Sequence, residues 1–376
     1  MDFSFNDEQQ MLLDTTQRFL ASEYSFEQRN KLLESDQGWS RHIWKQLADL
    51  GLLALDIPEA DGGIGAGPVG VMLVSQAAGH GLLLEPFLSS AIIATQAIVR
   101  LGSDAQRAQW LPALASGDLI AVLANDEARS GIDLSKITTR ATLGDAGWTL
   151  SGRKSVVYHA PMADLYLVSA RVDDGSLGLF AVSANAAGVT KQTLRTVDGQ
   201  RAADLSFDNV LLEADARLGN DAGDALAAII DCATAALCAD AFGVLDRILK
   251  ATIEYSRSRK QFGMPIGSFQ ALQHRMADML IHFEQARSMM YLATERCSDT
   301  VAVPRSAAIS GAKALIGQAA RFVGQQAVQL HGGMGMTDEL DVSHCFKRLL
   351  AFELRMGTTD EHMQRYRIHL QQSAVQ

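Results

Sequence analysis

Residues 255–279 carry the densest chemical signal in this chain. Arg257, Arg259 and Lys260 close a long apolar helical stretch, Phe262 follows, Gly263 and Pro265 break the pattern, and Phe269-Gln270 opens the next helix. Cations at a helix C-terminus complement the helix dipole, and that is one reading of the cluster. Beside a sharp turn the same cluster also suits a phosphate diester, and arginine's forked donors suit it best. A second candidate is Asp240, a lone carboxylate in the apolar text of 235–244. Such a group is either a general base or a buried charge paired within a helical bundle. Gly332-Gly333, after Gln329, ends another helical stretch, either as an ordinary stop or to let a ligand approach the backbone closely. Gly65-Ala66-Gly67-Pro68-Val69-Gly70 fits the spacing of a dinucleotide fingerprint, which needs a strand leading into its first glycine. Residues 58–63 are a polar turn, so this motif reads as a tight loop before a helix and not as a nicotinamide site.

Three blocks of text must position these residues. Residues 1–120 read as helices, the first capped at Asn6-Asp7-Glu8 with Met11, Leu12, Phe19 and Leu20 at helical spacing. Residues 121–218 change to short β-rich runs at 148–159, 164–172, 177–183 and 203–212. Turn signals at 144–147 and 173–176 predict hairpins, and hence an antiparallel sheet or small barrel. Residues 219–376 return to long helices, predicted over 225–256, 268–298, 304–330 and 341–354 with a short last one. This pattern suggests a bundle whose outer apolar faces pack on other subunits.

Composition narrows the class. The 376 residues suffice for two or three domains, and 48% are hydrophobic. A net charge of −10 argues against a nucleic-acid surface. The four cysteines show no C-x-x-C pair and no disulfide framework, so a reducing cytoplasm is expected and no metal site is indicated. The first ten residues lack the basic and apolar segments of a signal peptide. No uninterrupted apolar run of about 18 residues predicts a membrane span.

The stretch at 257–279 resembles one family closely, the acyl-CoA dehydrogenases, which hold FAD and desaturate acyl-CoA thioesters. Leu50-Gly51-Leu52-Leu53, Pro58-Glu59-Ala60-Asp61-Gly62-Gly63, Trp110-Leu111-Pro112, Phe207-Asp208-Asn209-Val210 and Gln329-Leu330-His331-Gly332-Gly333-Met334-Gly335 fit the same family, in order, over nearly the whole length. The resemblance implies a mainly α fold: an N-terminal helical domain (1–120), an antiparallel, barrel-like β domain (121–218) and a C-terminal four-helix bundle (219–376) that carries the FAD and oligomer interface. It also implies that Arg259, Phe262, Gln270, Gln329, Gly332 and Gly333 contact FAD, largely the flavin held by a neighbouring subunit.

Three departures from the family pattern matter as much. The flavin loop, T-E-P-x-x-G-S-D in the family, here reads Asp126-Glu127-Ala128-Arg129-Ser130-Gly131-Ile132-Asp133, so two hydroxyl donors are gone. Val156 and Tyr158 stand where the family has a flavin-shielding Trp and a Thr. The catalytic Glu of the common branch is replaced by Met356, and the alternative Glu position of a sister branch by Ala233. Asp240, two helical turns past Ala233, is the remaining candidate base; Glu353 reads as a solvated or interfacial charge. The pattern is most similar to the small subunits of two-gene enzymes such as pimeloyl-CoA dehydrogenase, related pairs of which act on steroid or bile-acid side chains. It implies a half-site in an α2β2 heterotetramer with a large acyl-CoA dehydrogenase subunit, acyl-CoA as substrate and an electron-transferring flavoprotein as acceptor. The alternatives are a self-sufficient homotetramer using Asp240 and a non-enzymatic acyl-CoA-binding scaffold.

Overall fold

A computed structural model describes residues 5–128 and 130–373; Met1–Ser4, which open the N-terminal segment, and Arg129 of the flavin-loop register lie outside the described residues. The chain begins with α1 (Asp7–Glu23), α2 (Phe26–Glu34), α3 (Arg41–Asp49) and α4 (Gly67–Gly81). A π-helical segment, Phe87–Ala94, runs into α5 (Thr95–Leu101), and α6 (Asp104–Ala115) follows. Capping fixes where several of these start: Asn6 and Gln9 form a reciprocal capping box at α1, and Ser103 and Gln106 form one at α6. The 65–70 glycine motif has no strand before it. Its Gly65 and Gly67 take left-handed φ of 60° and 64°, and α4 begins at the second.

The middle of the chain is a sheet of β1 (Ala121–Ala124), β2 (Arg140–Gly144), β3 (Gly147–Tyr158), β4 (Leu165–Val172), β5 (Leu177–Ser183), β6 (Val189–Arg195), β7 (Arg201–Leu212) and β8 (Arg217–Leu218). Its order is β6-β7-β3-β2-β4-β5-β8, with β1 pairing β4. The two predicted hairpins are present, with Gly144 opposite Gly147 and Arg171 opposite Leu177. The sheet is mixed rather than purely antiparallel, because β1 and β2 both run parallel to β4.

The remainder is helical: α7 (Gly223–Ser258), a small hairpin of β9 (Lys260–Gln261) and β10 (Met264–Pro265), then α8 (Gln270–Arg296), α9 (Ala302–His331), α10 (Asp341–Leu354) and α11 (Thr359–Ser373). At about 1.5 Å per residue, the 36 residues of α7 span about 54 Å. By length and composition α7 could cross a membrane, but 94% of its most apolar stretch is buried inside the protein, as in a core helix.

Contacts divide the chain into two compact units. The first comprises Met1–Lys31, Pro68–Leu83 and Thr234–Gln376; the second comprises Leu32–Gly67 and Leu84–Ala233. In the first unit α4 and α7 cross with almost no gap. A Cβ on Gly79 would lie 1.9 Å from the Asp240 carbonyl oxygen, and one on Gly243 would lie 1.9 Å from that of Gln76. In the second unit the sheet core is apolar, with Tyr166, Leu167, Val168, Leu179 and Phe180 all inaccessible to solvent.

Candidate active site

The six residues expected to contact a flavin all lie in the first unit, and all are exposed. The backbone N–H of Arg259 donates to Tyr255 O at 2.8 Å, and that of Ile266 donates to Arg259 O at 2.8 Å, which closes the 259–266 hairpin. At its tip Phe262 takes a φ of 54° and Gly263 one of 82°. Phe262 is 93% exposed, a wide departure from the usual fate of a phenylalanine, and touches Phe269 edge-on with centroids 6.1 Å apart. Tyr255 stacks on His331 at 4.2 Å, which ties the C-terminal ends of α7 and α9 together. Arg275 donates to Gln326 at 3.0 Å and joins α8 to α9. These two links bring Arg259, Gln270, Gln329 and the glycines to one end of the helical bundle. A Cβ on Gly332 or Gly333 would meet nothing within 4 Å, so neither glycine is demanded by packing inside this chain, although Gly332 needs its φ of 62°.

At the expected base position, α10 ends in a fixed corner. Met356 has a φ of 56° and Gly357 one of 96°. Lys313, fully buried, donates from Nζ to Phe352 O (3.0 Å) and Gly357 O (2.7 Å), with its ammonium 4.2 Å above the Phe352 ring. Burial pushes the Lys313 pKa down. His362 Nε2 lies 2.7 Å from Met356 O and must donate there, since a carbonyl only accepts. Burial pushes the His362 pKa down to about 4, so the ring is neutral at pH 7. The Met356 thioether packs on Thr234, with sulfur 3.9 Å from Oγ1, and offers no useful proton acceptor. Glu353 is not free: it accepts from the Thr359 N–H (3.0 Å) and hydroxyl (2.8 Å) at the start of α11. Ala233 is buried on α7. Asp240 is buried as well, and both its oxygens are taken by Arg348 of α10, at 2.8 and 3.0 Å.

The second unit holds the loop in register with the family's flavin loop. Glu127 accepts from the N–H and hydroxyl of both Thr138 and Thr139, and from Lys154 Nζ at 2.8 Å. Lys154 is fully buried and also donates to Asn125 O and Ser169 Oγ. Burial alone would raise the Glu127 pKa, but the hydrogen bonds from Lys154, Thr138 and Thr139 bring it down to about 2. Asp126 and Ile132 flank this network without hydroxyl groups to offer a ligand. Val156 sits at a bulge in β3 with a φ of 50°, a strained setting for a β-branched residue, and its N–H donates to Asp204 at 2.7 Å. The sequence alone assigns no role to Lys154, Lys313, His362 or Arg348. Lys154 and Lys313 do leave a trace there, each a cation inside β-rich or alanine-rich text. Among the described residues, no group of three or more His, Cys, Asp or Glu side chains is placed to hold a metal ion.

A helical N-terminal segment, a central sheet and a C-terminal helical bundle with an exposed basic-aromatic hairpin define a flavoprotein dehydrogenase class. Three family models match along the chain: the acyl-CoA dehydrogenase N-terminal domain over residues 6–118, the middle domain over 123–210 and the C-terminal domain over 225–369. The acyl-CoA dehydrogenase FadE27 of Mycobacterium tuberculosis is 30% identical, over 97% of this chain and 97% of its own. Among solved structures, the ChsE4-ChsE5 complex from Mycobacterium tuberculosis matches at 29% identity and a TM-score of 0.92, covering 98% of this chain and 99% of that one. A variant of the Tcur3481-Tcur3483 steroid ACAD matches at 28% identity and a TM-score of 0.90, with the same coverage. The chain belongs to the acyl-CoA dehydrogenase family, a family of oxidoreductases whose members bind FAD.

Proposed function

We propose that this chain is the partner subunit of a heteromeric, FAD-dependent acyl-CoA dehydrogenase, contributing a cofactor clamp while a large subunit supplies the reacting pocket. The observation that carries this reading is an asymmetry. The groups that reach outward are present and exposed, while the groups that would act in the chain's own pocket are replaced or occupied. Bound FAD would supply the acceptor for hydride from the β-carbon of the thioester. Arg259 would neutralise pyrophosphate charge, Phe262 would flank the dinucleotide, and Gln270 and Gln329 would offer side-chain amides. Gly332 and Gly333 would leave room for the adenosine end, which accords with the open space around them. The segment 219–376 would then be both cofactor surface and subunit interface, in an α2β2 assembly.

Two of the similar structures name two components each, which supports a second subunit here. One is a steroid ACAD, so steroid side-chain thioesters are the first substrates to try. By family analogy an electron-transferring flavoprotein accepts the electrons, and four cysteines with no disulfide among them suit a reducing cytoplasm. A self-sufficient homotetramer would need Asp240 as its base, and the Arg348 pair leaves that carboxylate no free oxygen. A scaffold without redox chemistry would leave the exposed clamp without a purpose.

The test is flavin content. The chain purified alone should be nearly colourless, and co-expression with the large subunit should yield stoichiometric FAD that Arg259→Ala releases. One FAD per chain in the isolated protein, bleached by an acyl-CoA, would overturn the half-site reading.

A further inference from the structure

A cleft in the second unit is lined by none of the residues assigned to the flavin or to the expected base positions. Its walls are Asp36 and Trp39 from the segment between α2 and α3, Arg41 at the start of α3, Pro161 and Met162 from the turn after β3, and the facing ends of β6 and β7. Arg195 on β6 stands directly opposite Arg201 on β7 in the ladder. Like charges at such a pair destabilise a sheet. Among the described residues neither arginine makes an ion pair, nor does Arg41, and Asp36 is the one carboxylate among the lining residues. Three cations against one anion leave the cleft positive in a chain whose net charge is −10. Arg201 is also firmly seated. Its Nη2 donates to Ser35 O at 2.9 Å, and its guanidinium lies where a Cβ on Gly38 would come within 2.5 Å, a position Gly38 keeps clear at a φ of 72°. Burial and the facing Arg195 push the Arg201 pKa down, and the nearby Asp36 opposes them only in part. Beside the cations, the half-buried Trp39 indole, Met162 and Pro161 form an apolar wall.

We propose that this cleft binds a nucleotide, with Arg195 and Arg201, helped by Arg41, on the phosphates and the base against Trp39. Forked guanidinium donors match phosphate oxygens, an anion would relieve the cross-strand repulsion, and an indole beside them selects a flat ring over bare phosphate. The site does not rest on the flavin reading: every lining residue belongs to the second unit, and every residue assigned to FAD belongs to the first.

Equilibrium dialysis of the full-length chain against ADP, coenzyme A and inorganic phosphate tests it. ADP should bind saturably, Arg195→Gln should weaken it about tenfold or more, and Arg259→Ala should leave it unchanged. Arg195 is exposed, so its replacement should not disturb folding; Arg201→Gln, at a half-buried position, is the supporting variant. Coenzyme A binding more tightly than ADP would identify the nucleotide end of a thioester as the ligand, and equal or weaker binding would identify a free nucleotide. Binding that responds to Arg259→Ala but not to Arg195→Gln would overturn the cleft and place the nucleotide on the flavin clamp. Absence of saturable binding up to about 1 mM, or inorganic phosphate binding as tightly as ADP, would also overturn it.

Discussion

Asp240 and Arg348 form a two-pronged ion pair in the bundle interior, Nη2 to Oδ1 at 2.8 Å and Nε to Oδ2 at 3.0 Å, with both residues buried. The same Asp240 packs its carbonyl against Gly79 of α4, so one residue joins three helices. Asp240→Asn leaves a buried guanidinium without its counter-charge, which costs about 3–5 kcal/mol. We expect a large fall in melting temperature and, in the complex below that temperature, turnover close to normal. Loss of turnover with flavin content and fold intact would make Asp240 the base.

The left-handed corner at Met356 is held by Lys313 and His362 as if for a side chain that must not move. Met356→Glu therefore places a carboxylate on a ready scaffold. In the isolated chain this should yield no dehydrogenase activity, because the flavin-ring contacts remain absent. A gain of about 10²-fold or more in acyl-CoA-dependent dye reduction would show that the chain's own pocket lacks only its base.

His362 also gives the corner a pH dependence. Its folded pKa of about 4 lies below the ordinary 6.5, so the unfolded chain binds the proton more readily. Its contribution is full above pH 6.5 and is lost as pH falls from 6.5 towards 4. Melting temperature against pH should slope through that window in the native chain and flatten there in His362→Gln, which keeps a donor for Met356 O.

Glu127 acts in the same direction at lower pH. Its folded value of about 2 lies below the ordinary 4.5, so its stabilisation is complete above 4.5 and disappears as pH drops towards 2. Glu127→Gln strands the buried Lys154 charge and should cost about 3–5 kcal/mol. Urea unfolding at pH 7 reads this directly. A loss below about 1 kcal/mol would show the pair contributes little.

The α4–α7 crossing is intolerant of a single methyl group. Gly79→Ala and Gly243→Ala each drive a Cβ into backbone that has nowhere to go, and overpacking of this kind costs about 1–3 kcal/mol. Thermal melts of the two variants check it.

The sequence by itself determined the long helices and four of the sheet's eight strands, β3, β4, β5 and β7, because periodicity and caps are local: 225–256 became Gly223–Ser258, and 341–354 stands as Asp341–Leu354. β6 escaped because Thr190, Lys191, Gln192 and Thr193 face solvent on both sides, which erases the alternation that marks a strand. The parallel pairings of β4 with β1 and β2 were hidden too, since register between distant strands leaves no local trace. The clamp residues were legible as a motif because they follow one another around a turn. Asp240 was legible as an unusual carboxylate, but its partner lies 108 residues away on α10. The Lys313–His362 corner, the Lys154–Glu127 network and the Arg195–Arg201 pair likewise join residues whose roles arise only on contact. Tertiary structure alone decided which charge would be spent on holding the fold and which left free for a ligand.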